Sequence, residues 1–229
     1  TQRRLQRQQQ AWRHLRELHQ QDISEEHFLQ AVQISLRELL GISRTSIWYF
    51  NDPAGFATCR ASLDPSLVHA QGDMQPLSAY IDTLNRVPFI ESNHAQQAPR
   101  LSIMRQYLAE HDVASAIDVG IFVGGELRGS LCCESHQTRL WQPDEVNAIM
   151  AVAGLLSQFA ESLRRRAAEN DLYHQIHYDA VTGLPTLRGI AESIAQSPSR
   201  LSAFVASITS TSCLVKAAAT KPCVRSLRR

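Results

Sequence analysis

Asp118 and Glu134 are the residues of this chain best placed to do chemistry, because each interrupts an otherwise apolar run that reads as a strand. A carboxylate in such a run either faces solvent or anchors something inside the fold. Trp48, Tyr80 and Tyr107 offer ring faces and polar tips that either line a cavity or pack in the core. The sequence has five cysteines, Cys59, Cys132, Cys133, Cys213 and Cys223, without the paired C-x-x-C spacing of a structural zinc site. Adjacent Cys132 and Cys133 point to opposite faces of a strand, which suits inert packing better than a disulfide or a reactive thiol. His174 and His177 lie one helical turn apart but lack carboxylate or thiol partners, so they read as a solvated helix face, and neither a metal nor a cofactor is expected.

The elements that position these groups follow from periodicity. Residues 2–21 contain no Gly or Pro, and Leu5, Trp12, Leu15 and Leu18 form a narrow helical seam. Ser24, Glu25 and Glu26 open a second helix with Phe28, Leu29, Val32, Leu36, Leu39 and Leu40 on one face, and Gly41 stops it. The β-branched and aromatic stretch from Thr45 to Phe50, a turn at Asn51–Gly55 and a return over 57–62 predict a hairpin. Residues 63–75 read as loop, 78–85 and 104–111 as short helices, and the stretch after Pro88 as a polar connection. A second hairpin spans 116–134 about Gly124-Gly125. Pro143 begins a helix that could run to Tyr178, about 54 Å. Along it Ile149, Leu156, Leu163 and Asn170 fall seven apart, and Asn170 sits where an Asn sets the register of a two-stranded coiled coil. The competing reading is a solvated helix end. The order of elements predicts an α+β domain, an antiparallel sheet with helices packed on it and long helices at either end.

Composition bounds the function. Hydrophobic residues are 44% and charged residues 20%, with a net charge of +1, which argues against generic nucleic-acid binding. The apolar stretch from Ala148 to Ala160 is too short to span a bilayer, and Thr1–Gln10 is too polar for a signal peptide. The cysteine usage suits a reducing compartment, so a cytoplasmic location with no membrane span in this chain is expected. The chain opens on Thr1 and reads as a piece of a longer protein.

Several strings, taken in order, resemble the GAF family of sensory domains over roughly 22–162. They are Ser43-Arg-Thr-Ser-Ile-Trp48, Ser115 to Val123, Gly125 to Glu134, and Arg139-Leu-Trp-Gln-Pro-Asp-Glu145. The resemblance implies that Ala79-Tyr80-Ile81 and Tyr107-Leu108 cover a pocket, and that Asp118 and Glu134 have a structural or ligand-orienting role. On it, Trp48, Tyr80, Tyr107, Asp118 and Glu134 are the candidate ligand contacts, for a small molecule of unknown identity. The Cys-His pair of bilin-binding GAF domains is absent, since Cys133 is followed by Glu134 and Ser135, and the Asn-Lys-Phe-Asp-Glu motif of cyclic-nucleotide binders is absent too.

Asp179-Ala-Val-Thr-Gly-Leu-Pro185 further resembles the opening of GGDEF diguanylate cyclase domains, although Thr186-Leu187-Arg188 departs from the family's usual Asn-Arg. No Gly-Gly-Asp/Glu-Glu-Phe segment follows, so no cyclase activity is expected of this chain. From Ser207 onward there is no acidic residue, and this tail reads either as native or as translated out of frame; 191–229 is expected to be loosely ordered. The domain reading is a helix over 1–21, a GAF domain over 22–162, a signalling helix over 163–178 and a truncated GGDEF start over 179–229. The functional expectation is a sensor of a small ligand or of redox state. It would relay its signal through a C-terminal helix as a homodimer, with Leu163 and Asn170 in the relay. The competing readings are a GAF-fold thiol enzyme, such as a free-methionine sulfoxide reductase, and a ligand-free dimerisation module.

Overall fold

The computed structural model describes residues 2–21, 23–51 and 55–196. Two compact units divide the chain, 1–164 and 165–229. The first holds an antiparallel sheet of six strands: β1 (Arg44–Asn51), β2 (Phe56–Ser62), β3 (Gln71–Asp73), β4 (Ile90–Ser92), β5 (Ser115–Val123) and β6 (Glu126–Ser135), in the order β3-β2-β1-β6-β5-β4. The α+β architecture expected of the sequence is the one found.

Helix α1 (Gln2–Gln20), helix α2 (Glu25–Leu40) and the first half of helix α5 (Pro143–His177) supply the core on one side of the sheet. Ser24 caps α2, its Oγ accepting the His27 N–H at 3.3 Å, and Gly41 ends it at φ +59°. Phe28 of α2 stacks on Phe159 of α5 at 4.2 Å between ring centres, and both are buried. Strand residues Ile47, Ile117, Val119, Ile121, Leu131 and Cys133 join this core. Their neighbours at the alternate positions point to the other side, because side chains alternate along a strand.

That other side is covered by helix α3 (Ser78–Arg86), helix α4 (Arg105–Glu110) and 3₁₀ turns, with Tyr80, Leu84, Leu101, Leu108, Val113 and Ala116 as its smaller core. On the opposite face, shared with Leu131 and Cys133, Gly129 lets β1 and β6 meet: a Cβ at that position would lie 2.3 Å from the Trp48 carbonyl oxygen. The hairpin between β5 and β6 turns on Gly124 and Gly125 at φ +63° and +83°, where a side chain would be strained.

Several expectations are corrected. The stretch read as loop over 63–75 contains β3, and the connection after Pro88 contains β4, each only three residues long and too short to show an alternating pattern. The apolar part of α5 is also longer than 148–160. An 18-residue window reaches a mean hydropathy of 1.3, which is enough by length and composition to cross a membrane, and 44% of that window is buried within the fold. Ile149, Val152, Ala153, Leu156 and Phe159 spend that apolar face on the sheet core.

In the second unit α5 ends at His177, and Asp179 caps the turn that follows, its Oδ1 accepting the Thr182 N–H at 2.8 Å. Helix α6 (Leu187–Gln196) comes next, so 191–196 is helical where loose order was expected. The Thr186 hydroxyl and the closely approaching Gly189 seat α6 on the end of α5: a Cβ at 189 would lie 2.4 Å from the His177 carbonyl oxygen. His177 corrects the solvated-face reading. It is buried, Nδ1 lies 2.7 Å from the Tyr173 carbonyl oxygen, and Nε2 lies 2.6 Å from Glu192. The tail from Ser207 lies outside the described residues.

Candidate functional site

Between the sheet and the α3–α4 cover lies a cavity of about 430 Å³, within the range of small-molecule sites. All five residues singled out in the sequence line it: Trp48 from β1, Tyr80 from α3, Tyr107 from α4, Asp118 from β5 and Glu134 from β6. Strand periodicity puts the sheet contributors on one face. Trp48 and Phe50, Ala116 and Asp118, and Ser130, Cys132 and Glu134 each lie two residues apart and all line the cavity. Asp118 is paired across the ladder with Cys132, and Ala116 with Glu134, so the two acids are diagonal neighbours, with backbone positions about 7–8 Å apart.

Each carboxyl takes a hydroxyl from the cover. Tyr80 donates to Asp118 Oδ2 at 2.9 Å, and Tyr107 donates to Glu134 Oε1 at 3.0 Å. The helices therefore hold the two tyrosines, and the tyrosines hold the two acids. Beyond these bonds the carboxyls differ. Glu134 has a cation, Arg44 Nε at 3.2 Å, and the same guanidinium reaches Asp64 at 3.4 Å. Asp118 makes no ion pair among the described residues; its other neighbour is the Cys132 thiol, a weak donor.

Burial sets the electrostatics. It pushes the Asp118 carboxyl up to about 6, against the opposing pull of the Cys132 and Tyr80 hydrogen bonds. It pushes Glu134 up to about 7, with the nearby Asp118 charge adding to the rise and Arg44 and Tyr107 opposing it. Both tyrosine hydroxyls are raised, again first by burial, and so remain donors. Cys132 and Cys133 are raised by burial, and Cys59 is pushed up to about 11. A thiol so raised is a poor nucleophile at neutral pH. Among the described residues no group of three or more His, Cys, Asp and Glu side chains gathers as a metal would need.

Sequence reasoning missed Arg44, Cys132 as a cavity residue, and the apolar wall of Leu77, Leu101 and Met104. Arg44 was within reach of it, since it stands four residues before Trp48 and thus on the same strand face. The wall was not, because it comes from irregular chain without a readable period. Leu163 is half-buried against the main core, and Asn170 is exposed.

The GAF domain model matches residues 24–159, more than half of the chain. The phycoerythrobilin-bound GAF domain from a cyanobacterial phytochrome is similar at 21% identity and a TM-score of 0.60, covering 70% of this chain and 97% of that one. The GAF domain from a phosphoenolpyruvate-protein phosphotransferase of Coxiella burnetii is similar at 19% identity and 0.60, covering 71% and 98%. The chromophore-binding domain of an unusual bacteriophytochrome from R. palustris is similar at 14% identity and 0.58, and the match covers 71% of this chain and 62% of the length of that one. No curated protein matches. At these identities the likeness to solved structures concerns the fold alone. With the six-stranded sheet, its two-sided packing and the match over residues 24–159, the chain belongs to the GAF domain family.

Proposed function

We propose that the first unit is a sensory module that takes a small molecule in the cavity between the sheet and α3–α4. Its occupancy would be passed along α5 to the segment beginning at Asp179. The observation that carries this reading is the cavity itself, about 430 Å³, with two buried carboxyls aimed into it and held by tyrosines from the short helices α3 and α4. A ligand touching Tyr80, Tyr107 and the sheet bridges the cover to the strands, and a shift of the cover relative to the sheet is the kind of two-state change such a domain can transmit.

The Asp179–Pro185 string supports a cyclase-type output domain, of which it would be the opening segment. The spacing of Leu163 and Asn170 supports a homodimer through the C-terminal half of α5, and the cysteine usage supports a cytoplasmic setting. The thiol-enzyme reading gains nothing from the site, since burial raises all three described thiols.

Native mass spectrometry of the purified full chain, followed by denaturing spectrometry of the same sample, tests the proposal. The expected result is a dimer carrying a small extra mass that leaves on denaturation. A bare mass, together with no binding from a small-molecule collection by ligand-observed NMR, overturns the sensor reading. A bare monomer overturns the dimeric relay.

A further inference from the structure

Resting on the reading that the cavity takes a small molecule, we propose that its ligand is an organic cation, a protonated amine, amidine or guanidine on an apolar or aromatic body, with the charged nitrogen seated on Asp118. The lining carries this. Among the described residues it holds Asp73, Glu110, Asp118 and Glu134 and no Lys, Arg or His. The nearest guanidinium, Arg44, is already spent on Glu134 and Asp64. An anionic ligand entering here would add negative charge to a site whose one neighbouring cation is occupied, and a phosphate or carboxylate would find no counter-charge in the lining.

Asp118 is the buried acid of the lining that has no partner of opposite charge among the described residues. Tyr80 satisfies Oδ2, the Cys132 thiol lies beside it, and the residue is 4% exposed. A buried carboxylate so placed is stabilised by a cation brought to it. The rest of the lining suits the body of such a ligand: Trp48 and Tyr80 offer rings that attract cations, Phe50, Leu77, Leu101 and Met104 are apolar, and the Tyr107 ring already lies beside Arg44 and His111. Asp73 and Glu110 are exposed and add negative potential at the rim.

The groups facing Asp118 are Tyr80 from α3, Cys132, Ser130 and Glu134 from β6, and its ladder partner Ile90 from β4, with Arg44 of β1 acting through Glu134. None of them supplies a cation to Asp118 itself. Binding of a cation therefore requires Asp118 to give up its proton, and affinity should fall as pH drops through the range where burial holds that proton.

Benzamidine and benzamide, matched in shape but charged and neutral, provide the test, titrated calorimetrically into the full chain. Benzamidine is expected to bind about tenfold or more tightly than benzamide near neutral pH. That preference should shrink near pH 5 and should be lost in Asp118→Asn. The pH series on the unaltered chain stands by itself should Asp118→Asn fail to fold. Benzamide binding as tightly as benzamidine overturns the cation assignment and leaves the small-molecule reading intact. Binding of neither probe overturns the cation assignment, while the small-molecule reading stands or falls separately on the native mass and the compound collection.

Discussion

Asp118→Asn should make the empty domain more stable as pH rises, a direction opposite to the usual loss when a buried polar group is altered. In the fold the Asp118 carboxyl is pushed from its ordinary 3.8 up to about 6, and Glu134 from 4.5 up to about 7, both first by burial. An acid whose folded pKa is raised contributes stability that is fully present below its unfolded pKa and is lost as pH rises through its folded pKa. The window is therefore about pH 4 to 7, and the unligated fold weakens across it. At about 1.4 kcal/mol per tenfold, the loss is on the order of 3 kcal/mol for either acid taken alone. Asn keeps the size of the side chain and an oxygen for the Tyr80 hydroxyl, but has no proton to lose. The two acids are coupled, since the Asp118 charge is the second cause of the rise at Glu134, so removing it also eases Glu134 and the gain is not a simple sum. Near pH 4 the variant and the parent should melt within a degree or two of each other. Near pH 8 the variant should lead by roughly 6–12 °C, at about 2–4 °C per kcal/mol for a domain of this size. Circular dichroism melts at a series of pH values, on protein refolded from denaturant so that the cavity starts empty, measure the gap directly. Acid effects elsewhere in the chain cancel in the difference. A gap that stays constant from pH 4 to pH 8, or one that closes as pH rises, refutes the burial argument.

Gly129→Ala should destabilise the domain by about 1–3 kcal/mol or more in urea unfolding, because the new Cβ meets the Trp48 carbonyl and backbone cannot move aside as a side chain would. In a chain carrying Cys213→Ser and Cys223→Ser, the three described thiols should react with iodoacetamide at neutral pH only as fast as the domain unfolds; rapid labelling of the native protein would contradict their burial. Asn170→Leu should shift a dimer seen by light scattering toward higher or mixed oligomers, since an Asn at that position favours two strands; a parent chain that is monomeric removes the coiled-coil relay. Phe159→Ala should cost about 3–5 kcal/mol, read as a lowered Tm, because it empties the space stacked on Phe28.

Most long elements were legible in the sequence. The α2 face from Phe28 to Leu40, with Ser24 before it and Gly41 after it, carries its own start, period and stop. The β5–β6 hairpin is announced by Gly124-Gly125 between apolar strands. Strand alternation also tells which residues share a face, so once Asp118 is taken as inward, Ala116 must be as well. Local pattern runs out at β3 and β4, which form only because a neighbouring strand offers hydrogen-bonding groups. It also misleads at His177, polar by type and helical by position, which is buried, stacked on Tyr173 and bonded to Glu192 fifteen residues further along the chain. Tyr80 and Asp118 lie thirty-eight residues apart, and Tyr107 and Glu134 twenty-seven, so their pairing is a product of how α3 and α4 settle on the sheet. The sequence by itself determined the element types and the two faces of each strand, because both depend on neighbours within a turn or two. Only the tertiary structure decided that Glu134 has a guanidinium beside it and Asp118 has none. Charge compensation depends on distance in space, and no spacing along the chain encodes it.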